Sequence, residues 1–152
     1  MAAITGGRVT PGTVIGSDIS TTADILAESM RHCFKPGTNL GFAVGATPTT
    51  REECIYVATG TGVVKGFHAM CIDTGTAASV TFDLKKNGTT VLSSVITITN
   101  ATTDAQVQDA TLSGAPALVA GDRLTVVLTV STSTGMVGPF AYATIQETSA
   151  PV

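Results

Sequence analysis

The stretch from residue 78 to residue 99 reads ASVTFDLKKNGTTVLSSVITIT and admits few folds. Val80, Phe82 and Leu84 alternate with Ser79, Thr81, Asp83 and Lys85, the period of a strand with one buried face. Asn87-Gly88 follows, and both residues accept the positive φ of a two-residue hairpin turn at little steric cost. A second β-rich run completes the hairpin. Two registers are open. A symmetric turn pairs Leu84 with Val91, whereas a bulged loop turns Leu92, Ser94, Ile96 and Ile98 inward. The second buries the larger residues and is the expected one.

The rest of the chain from residue 51 repeats this texture. ECIYVATG (53–60) and VVKGFHAMCID (63–73) read as strands joined near TGTG, with GTGVVKG as a hairpin turn. The segment 100–122 is mostly connection, with one short strand around 106–112. RLTVVLTVS (123–131) and PFAYATIQET (139–148) read as two closing strands with TSTGMVGP as a loop between them. Six to eight short strands punctuated this way indicate an antiparallel β-sandwich or jelly-roll-like barrel over 51–152.

Two further segments precede it. Residues 20–50 hold a short helix and a connecting loop. Thr21 to Asp24 fits a capping box loosely, and Ile25, Leu26, Ser29, Met30 and Cys33 form one helical face. Lys35-Pro36-Gly37 ends that helix, and Leu40–Val44 is a short strand or loop. Residues 1–19 show no helical period, yet carry Ile4, Val9, Val14 and Ile15, with Pro11 favouring an extended path. They read as an arm that orders against something else. Ile4, Arg8, Val9, Pro11, Val14 and Ile15 are the candidate interface residues. The competing reading makes 1–19 the first strand of the chain's own sandwich.

Composition narrows the function. The chain has 152 residues, 43% hydrophobic and only 12% charged, with a net charge of −3. Its mean hydropathy is +0.37. A surface covered by partners explains this, and so does a Val/Ile/Ala core beneath a Thr/Ser surface. No apolar run is long enough for a membrane helix, and the N-terminus lacks the pattern of a signal peptide. Lys85-Lys86 is the one basic pair, so there is no stripe to release counterions from nucleic acid. Five Phe, two Tyr and no Trp leave little for stacking bases.

No catalytic set emerges. His68 and Cys71 lie three apart in a strand and face opposite ways, which disfavours a dyad. His32 falls at the end of the expected helix, where it suits the dipole. Asp24 and Glu28 share a helix surface. Asp104 and Asp109 lack a calcium-loop pattern and read as solvated loop residues. Cys33, Cys54 and Cys71 have no C-x-x-C spacing and read as three small buried hydrophobes in a reducing cytoplasm. No cofactor or metal is implied.

Two pieces carry a family resemblance: VTFDLKKNGTTVLSS (80–94) and LVAGDRLTVVLTV (118–130). A strand ending in a Lys-Asn-Gly turn, followed by a Gly-Asp turn opening a Val/Leu strand, resembles the β-sandwich modules of tailed-bacteriophage virion proteins. These occur in tail fibres, baseplates and capsid decoration (cement) proteins. The resemblance spans roughly 55–147. It implies a non-enzymatic virion protein, folded in the host cytoplasm, that binds the major capsid protein on the outside of the shell as a homo-oligomer, a trimer by expectation. Short and beginning at Met1, the chain is expected to be a complete protein of this kind. Asn87 and Gly88 then form the hairpin turn, Lys85 and Lys86 keep its tip soluble, and 1–19 makes the partner contact. The alternative is a receptor- or carbohydrate-binding module at a tail tip, which calls for exposed aromatic side chains.

Overall fold

The computed structural model describes residues 32–147, and among these every regular element is a β-strand. Two strands of 25 residues dominate, β4 (Gly62–Lys86) and β9 (Arg123–Glu147). They run antiparallel along their whole length, from Gly62 opposite Glu147 to Lys86 opposite Leu124. Seven short strands line the edges of this ribbon. Against β9 lie β1 (His32–Phe34), β2 (Gly37–Thr38) and β3 (Arg51–Val57). Against β4 lie β5 (Thr89–Thr90), β6 (Ile96–Thr99), β7 (Gln108–Asp109) and β8 (Ala117–Leu118).

The ribbon curls at its middle, because the pairing slips between Thr74 and Ala77 opposite Met136 and Thr134. Gly75 and Gly135 sit there with φ of +74° and +76°. A Cβ at Gly75 would lie 2.4 Å from the Thr134 carbonyl oxygen, so the two backbones meet where no side chain fits. The curl is pinned from the loop before β7: the Thr74 N–H donates to Asp104 Oδ1 at 2.8 Å, and Thr74 Oγ1 is 2.8 Å from the same oxygen. Two half-sheets result. The first contains β1, β2, the C-terminal part of β9, the N-terminal part of β4, β7 and β8. The second contains β3, the remainders of β9 and β4, β5 and β6. Their inner faces share one core: Val64, Phe67, Ala69, Met136 and Ile145 from the first, and Val80, Phe82, Leu84, Leu124, Val126 and Leu128 from the second. The fold is thus an antiparallel sheet curled into a sandwich, as the alternation pattern indicates.

Several expectations are corrected. The ranges 63–73 and 78–86 are one strand, as are 123–131 and 139–147. The supposed loop TSTGMVGP is paired through Met136 to Thr74 and through Val137 to Asp73. A Gly-rich stretch reads as a loop when only its own residues are weighed, yet here it bends a continuous ribbon. Residues 58–61 are no hairpin turn: β3 pairs with β9, not with β4, so this link crosses from the second half-sheet to the first. His32–Phe34 is a strand on β9 rather than the end of a helix. Short strands need little propensity when an edge is waiting for them. Of the two readings of residues 40–44, loop rather than short strand holds. Cys33 and Cys54 are exposed and only Cys71 is buried. The arm 1–19 with Ile4, Arg8, Val9, Pro11, Val14 and Ile15, the helix over 21–31 and the Asp24/Glu28 pair lie outside the described residues.

Both hairpin registers turn out to be present in succession. Asn87 (φ +50°) and Gly88 (φ +86°) make a two-residue turn of primed type, with Lys86 opposite Thr89 and Lys85 opposite Thr90. The Val91 N–H donates to the Leu84 carbonyl, so the symmetric register holds at the tip. The chain then bulges away over 92–95 and returns with Ile96 opposite Phe82 and Ile98 opposite Val80. The excursion restores the phase that buries Leu92, Ile96 and Ile98 together with Val91. Ser94, expected inward, is exposed.

Candidate functional site

Strand phase sets which residues face outward from the first half-sheet. On β4, Phe67, Ala69 and Cys71 point into the core, so His68 and Met70 point out. On β9, Ala141, Ala143 and Ile145 point in, so Phe140 and Tyr142 point out. The register sets His68 beside Tyr142 and Met70 beside Phe140. On the far side of β4, Asp109 of β7 lies opposite His68.

These side chains form a strip. The His68 ring stacks on Tyr142 with centroids 4.5 Å apart and planes 22° from parallel. His68 Nδ1 meets Asp109 Oδ1 at 2.5 Å, and the Asp109 side chain is 77% exposed. Phe140 is tilted against Tyr142 at 6.3 Å. Two glycines let the rings lie low on the sheet. A Cβ at Gly66 would stand 2.9 Å from His68 Nε2, and one at Gly37 would stand 2.9 Å from Phe140 Cζ. The second half-sheet is different in kind: its outward positions on β4 are Ser79, Thr81, Asp83 and Lys85, as the alternation indicates.

At the Phe140 end the strip runs into a pocket of about 210 Å³, walled by Phe42, Val44, Met70, Ile72, Pro139 and Phe140. Val44, Ile72 and Phe140 are 89%, 45% and 37% exposed, so large apolar surface gathers at its rim. The wall formed by the loop after β2 is fastened. Asn39 Nδ2 donates to the Phe42 carbonyl, Asn39 Oδ1 accepts from the Gly41 N–H, and Arg51 Nη1 donates to the Leu40 carbonyl. The Arg51 guanidinium also covers the Phe42 ring at 4.5 Å. Asn39, the polar residue of the lining, spends its amide holding this loop.

The residues singled out from sequence fall elsewhere. Asn87 and Gly88 sit at the tip of the second half-sheet, where Asn87 does more than turn. Its Nδ2 donates to Asp122 Oδ1 at 2.6 Å and its Oδ1 accepts the Arg123 N–H at 2.9 Å. The two motifs that carry the family resemblance are therefore clamped together. The Val119 N–H, then Asn87, hold the Asp122 carboxyl below its ordinary pKa, and Lys86 adds to this. Lys86 Nζ donates to the Ala117 carbonyl, so it braces this corner rather than only solubilising it. Asp104 is likewise held low, first by the Thr74 N–H. It is an exposed loop residue, as expected, and from there it pins the curl. Asp109 joins His68, and Cys71 is in the core, its thiol pushed up to about 12 by burial. The His68–Cys71 dyad is excluded by that geometry, as strand phase indicates. At the other end of the first half-sheet, buried Glu147 accepts from the Tyr56 hydroxyl, and burial first, then this carboxylate, push the phenol above its ordinary pKa. Among the described residues no three His, Cys, Asp or Glu side chains converge on a metal position.

Sequence reasoning missed the strip. Phe140, Tyr142, His68 and Met70 all occupy the solvent phase of strands whose inward phase is Ala, Phe, Cys and Ile. That phase was a usable signal, because large apolar and aromatic residues there have no core to fill.

No protein-family description matches the chain, and no curated protein matches it. Among solved structures, a Carbohydrate-Binding Module CBM36 in complex with calcium and xylotriose aligns with 19% identity over 75% of this chain and 87% of its own, at a TM-score of 0.32. The sugar-binding EclA C-terminal domain aligns with 12% identity over 92% of this chain and 89% of its own, at 0.36. Both superpositions are loose, and neither residue roles nor ligands transfer from them.

Proposed function

We propose that the chain is a non-catalytic binding module whose recognition surface is the outer face of the first half-sheet, and that its ligand is a glycan, in the receptor-binding role at a phage tail tip. The observation that carries this is the Tyr142–His68–Asp109 strip beside Phe140. A sugar ring offers an apolar C–H face to an aromatic surface and hydroxyls to a carboxylate or imidazole. Here both kinds of group lie side by side on one face of the sheet. In a chain so poor in aromatics, placing Phe140 and Tyr142 in the solvent phase of one strand has no use in the core. The strip is shallow, so a single site binds weakly, and several sites on one oligomer would be needed for firm attachment.

The test is binding of the wild-type protein to a panel of bacterial surface glycans, with Tyr142→Ala and Asp109→Ala as variants. Each is expected to lower affinity at least tenfold at an unchanged melting temperature. Glycan binding that survives both changes would remove this reading. The competing proposal is the shell-decorating role, supported by the apolar anchors Ile4, Val9, Val14 and Ile15 in 1–19. It expects the protein at shell-wide copy number in virions and loss of capsid attachment when residues 2–16 are deleted.

A further inference from the structure

Asn87 is the one asparagine of the chain that precedes a glycine, while Asn39 and Asn100 precede Leu and Ala. Before glycine the amide side chain is chemically exposed, because no neighbouring Cβ shields the next peptide nitrogen. The Gly88 nitrogen can attack Asn87 Cγ. An N–Cγ bond then closes a five-membered imide, the Cγ–Nδ2 bond breaks, and ammonia leaves with the proton that Gly88 N gives up. Water opens the imide at either carbonyl and yields aspartate, or isoaspartate with an extra methylene in the backbone. The reaction needs only water and mild base.

The two partners of this reaction are presented differently. Gly88 is exposed, and a Cβ there would meet nothing within 4 Å, so solvent reaches its nitrogen. The Asn87 side chain is turned away, across to the start of β9. Its Nδ2 donates to Asp122 Oδ1 at 2.6 Å and its Oδ1 accepts the Arg123 N–H at 2.9 Å. The backbone is tied to the same place, since the Asn87 N–H donates to the Arg123 carbonyl at 3.0 Å. Asp122 is a fixed anchor: its side chain is 9% exposed, it accepts the Val119 N–H at 2.9 Å, and Lys86 Nζ lies 3.5 Å away. For Cγ to meet the Gly88 nitrogen, the amide must rotate off both of its partners and leave a buried carboxylate short of a donor. Reaction therefore proceeds through opening of this corner. The product cannot close it again. A carboxylate at position 87 sets a second negative oxygen against Asp122 where Nδ2 used to donate, and like charges so close and so little solvated repel.

We propose that Asn87 is a site of spontaneous deamidation, that its clamp to Asp122 and Arg123 holds the reaction back in the folded chain, and that the modification, once made, opens the corner joining the hairpin to β9. The corner then acts as a one-way switch, set by the time that it spends open. This is independent of any ligand on the first half-sheet.

Peptide mapping by mass spectrometry tests this on the full chain at mildly alkaline pH, with Asn39 and Asn100 as internal references. Asn87 of the wild type is expected to convert at least about tenfold more slowly in the folded state than in urea. Folded Asp122→Ala is expected to convert at Asn87 about tenfold faster than folded wild type, with Asn100 unchanged. Its melting curve checks folding, and Asp122→Ser, which retains a hydroxyl for the Val119 N–H, serves if it does not fold. Equal rates for folded and unfolded wild type, or no acceleration in the Asp122 variant, would overturn the proposal. The consequence is read from urea midpoints. Asn87→Asp should lower the midpoint, and adding Asp122→Asn should raise it again, because amide and carboxylate have then exchanged places. An Asn87→Asp protein as stable as the wild type, or a loss that the exchange does not recover, would show that modification leaves the corner shut.

Discussion

Gly75 and Gly88 share a backbone conformation and differ in what surrounds it. Their φ angles are +74° and +86°, yet a Cβ at Gly75 would collide with the β9 backbone while one at Gly88 would meet nothing within 4 Å. Gly88→Val is therefore expected to cost conformational strain alone, about 1–3 kcal/mol. Gly75→Ala adds displacement of β9 at the curl and is expected to cost more than about 3 kcal/mol. Urea midpoints of the two variants check this, and equal losses would show that the curl does not depend on that contact. Cysteine exposure is as position-specific. Cys33 and Cys54 are expected to react with a thiol reagent in the native protein, and Cys71 only on unfolding. Native reactivity of Cys71 would mean that the first half-sheet opens readily.

The two long strands stay in register because turns and loops are bolted to them by carboxylates. Asp104 grips Thr74 at the curl, and Asp122 grips Val119 and Asn87 where β9 begins. Both carboxyls are held below their ordinary pKa of 3.8, so near that pH the folded chain binds fewer protons than the unfolded one. The stability they contribute is present above that value and is lost as pH falls through the lower folded values. Urea midpoints measured from pH 7 down to pH 3 are expected to fall on the acid side. The double change Asp104→Asn and Asp122→Asn should flatten that limb, and an unaltered slope would show that other groups control it. Tyr56 works in the opposite direction. Its phenol is raised, so its contribution is full below about pH 10 and fades as pH rises beyond it, an alkaline loss that Tyr56→Phe should abolish.

For the whole molecule, curling one ribbon makes two outer faces of unlike character. One bears Thr, Ser, Asp and Lys, and the other bears Phe140, Tyr142, His68 and an apolar pocket. The second is the proposed recognition surface, since exposed apolar surface next to polar groups is what a partner can use. An oligomer, by expectation a trimer, would present several such faces together and raise a weak affinity. Sedimentation of the isolated protein is the check, and a stable monomer at micromolar concentration would count against it.

Local chemistry was readable wherever neighbours in the chain carry the information. The alternation from Ser79 to Lys85 set which face is buried, Asn87-Gly88 set a two-residue turn, and strand phase separated His68 from Cys71. Each depends on backbone geometry within a few residues. The continuity of β4 and β9 was not readable, because Gly75 and Gly135 look like loop residues until the partner backbone across the ribbon explains them. The symmetric turn followed by a bulge is not readable for a related reason: the local pattern fits either register, and only the core shows that one follows the other. The strip and the pocket were assembled from β2, β4, β7, β9 and the loop after β2, segments up to a hundred residues apart. Sequence spacing carries no distance across a sheet. Chain-local sterics and solvent phase therefore settled the strands and turns, and long-range pairing settled the curl, the clamp between Asn87 and Asp122, and which side chains gather on the outer face of the first half-sheet.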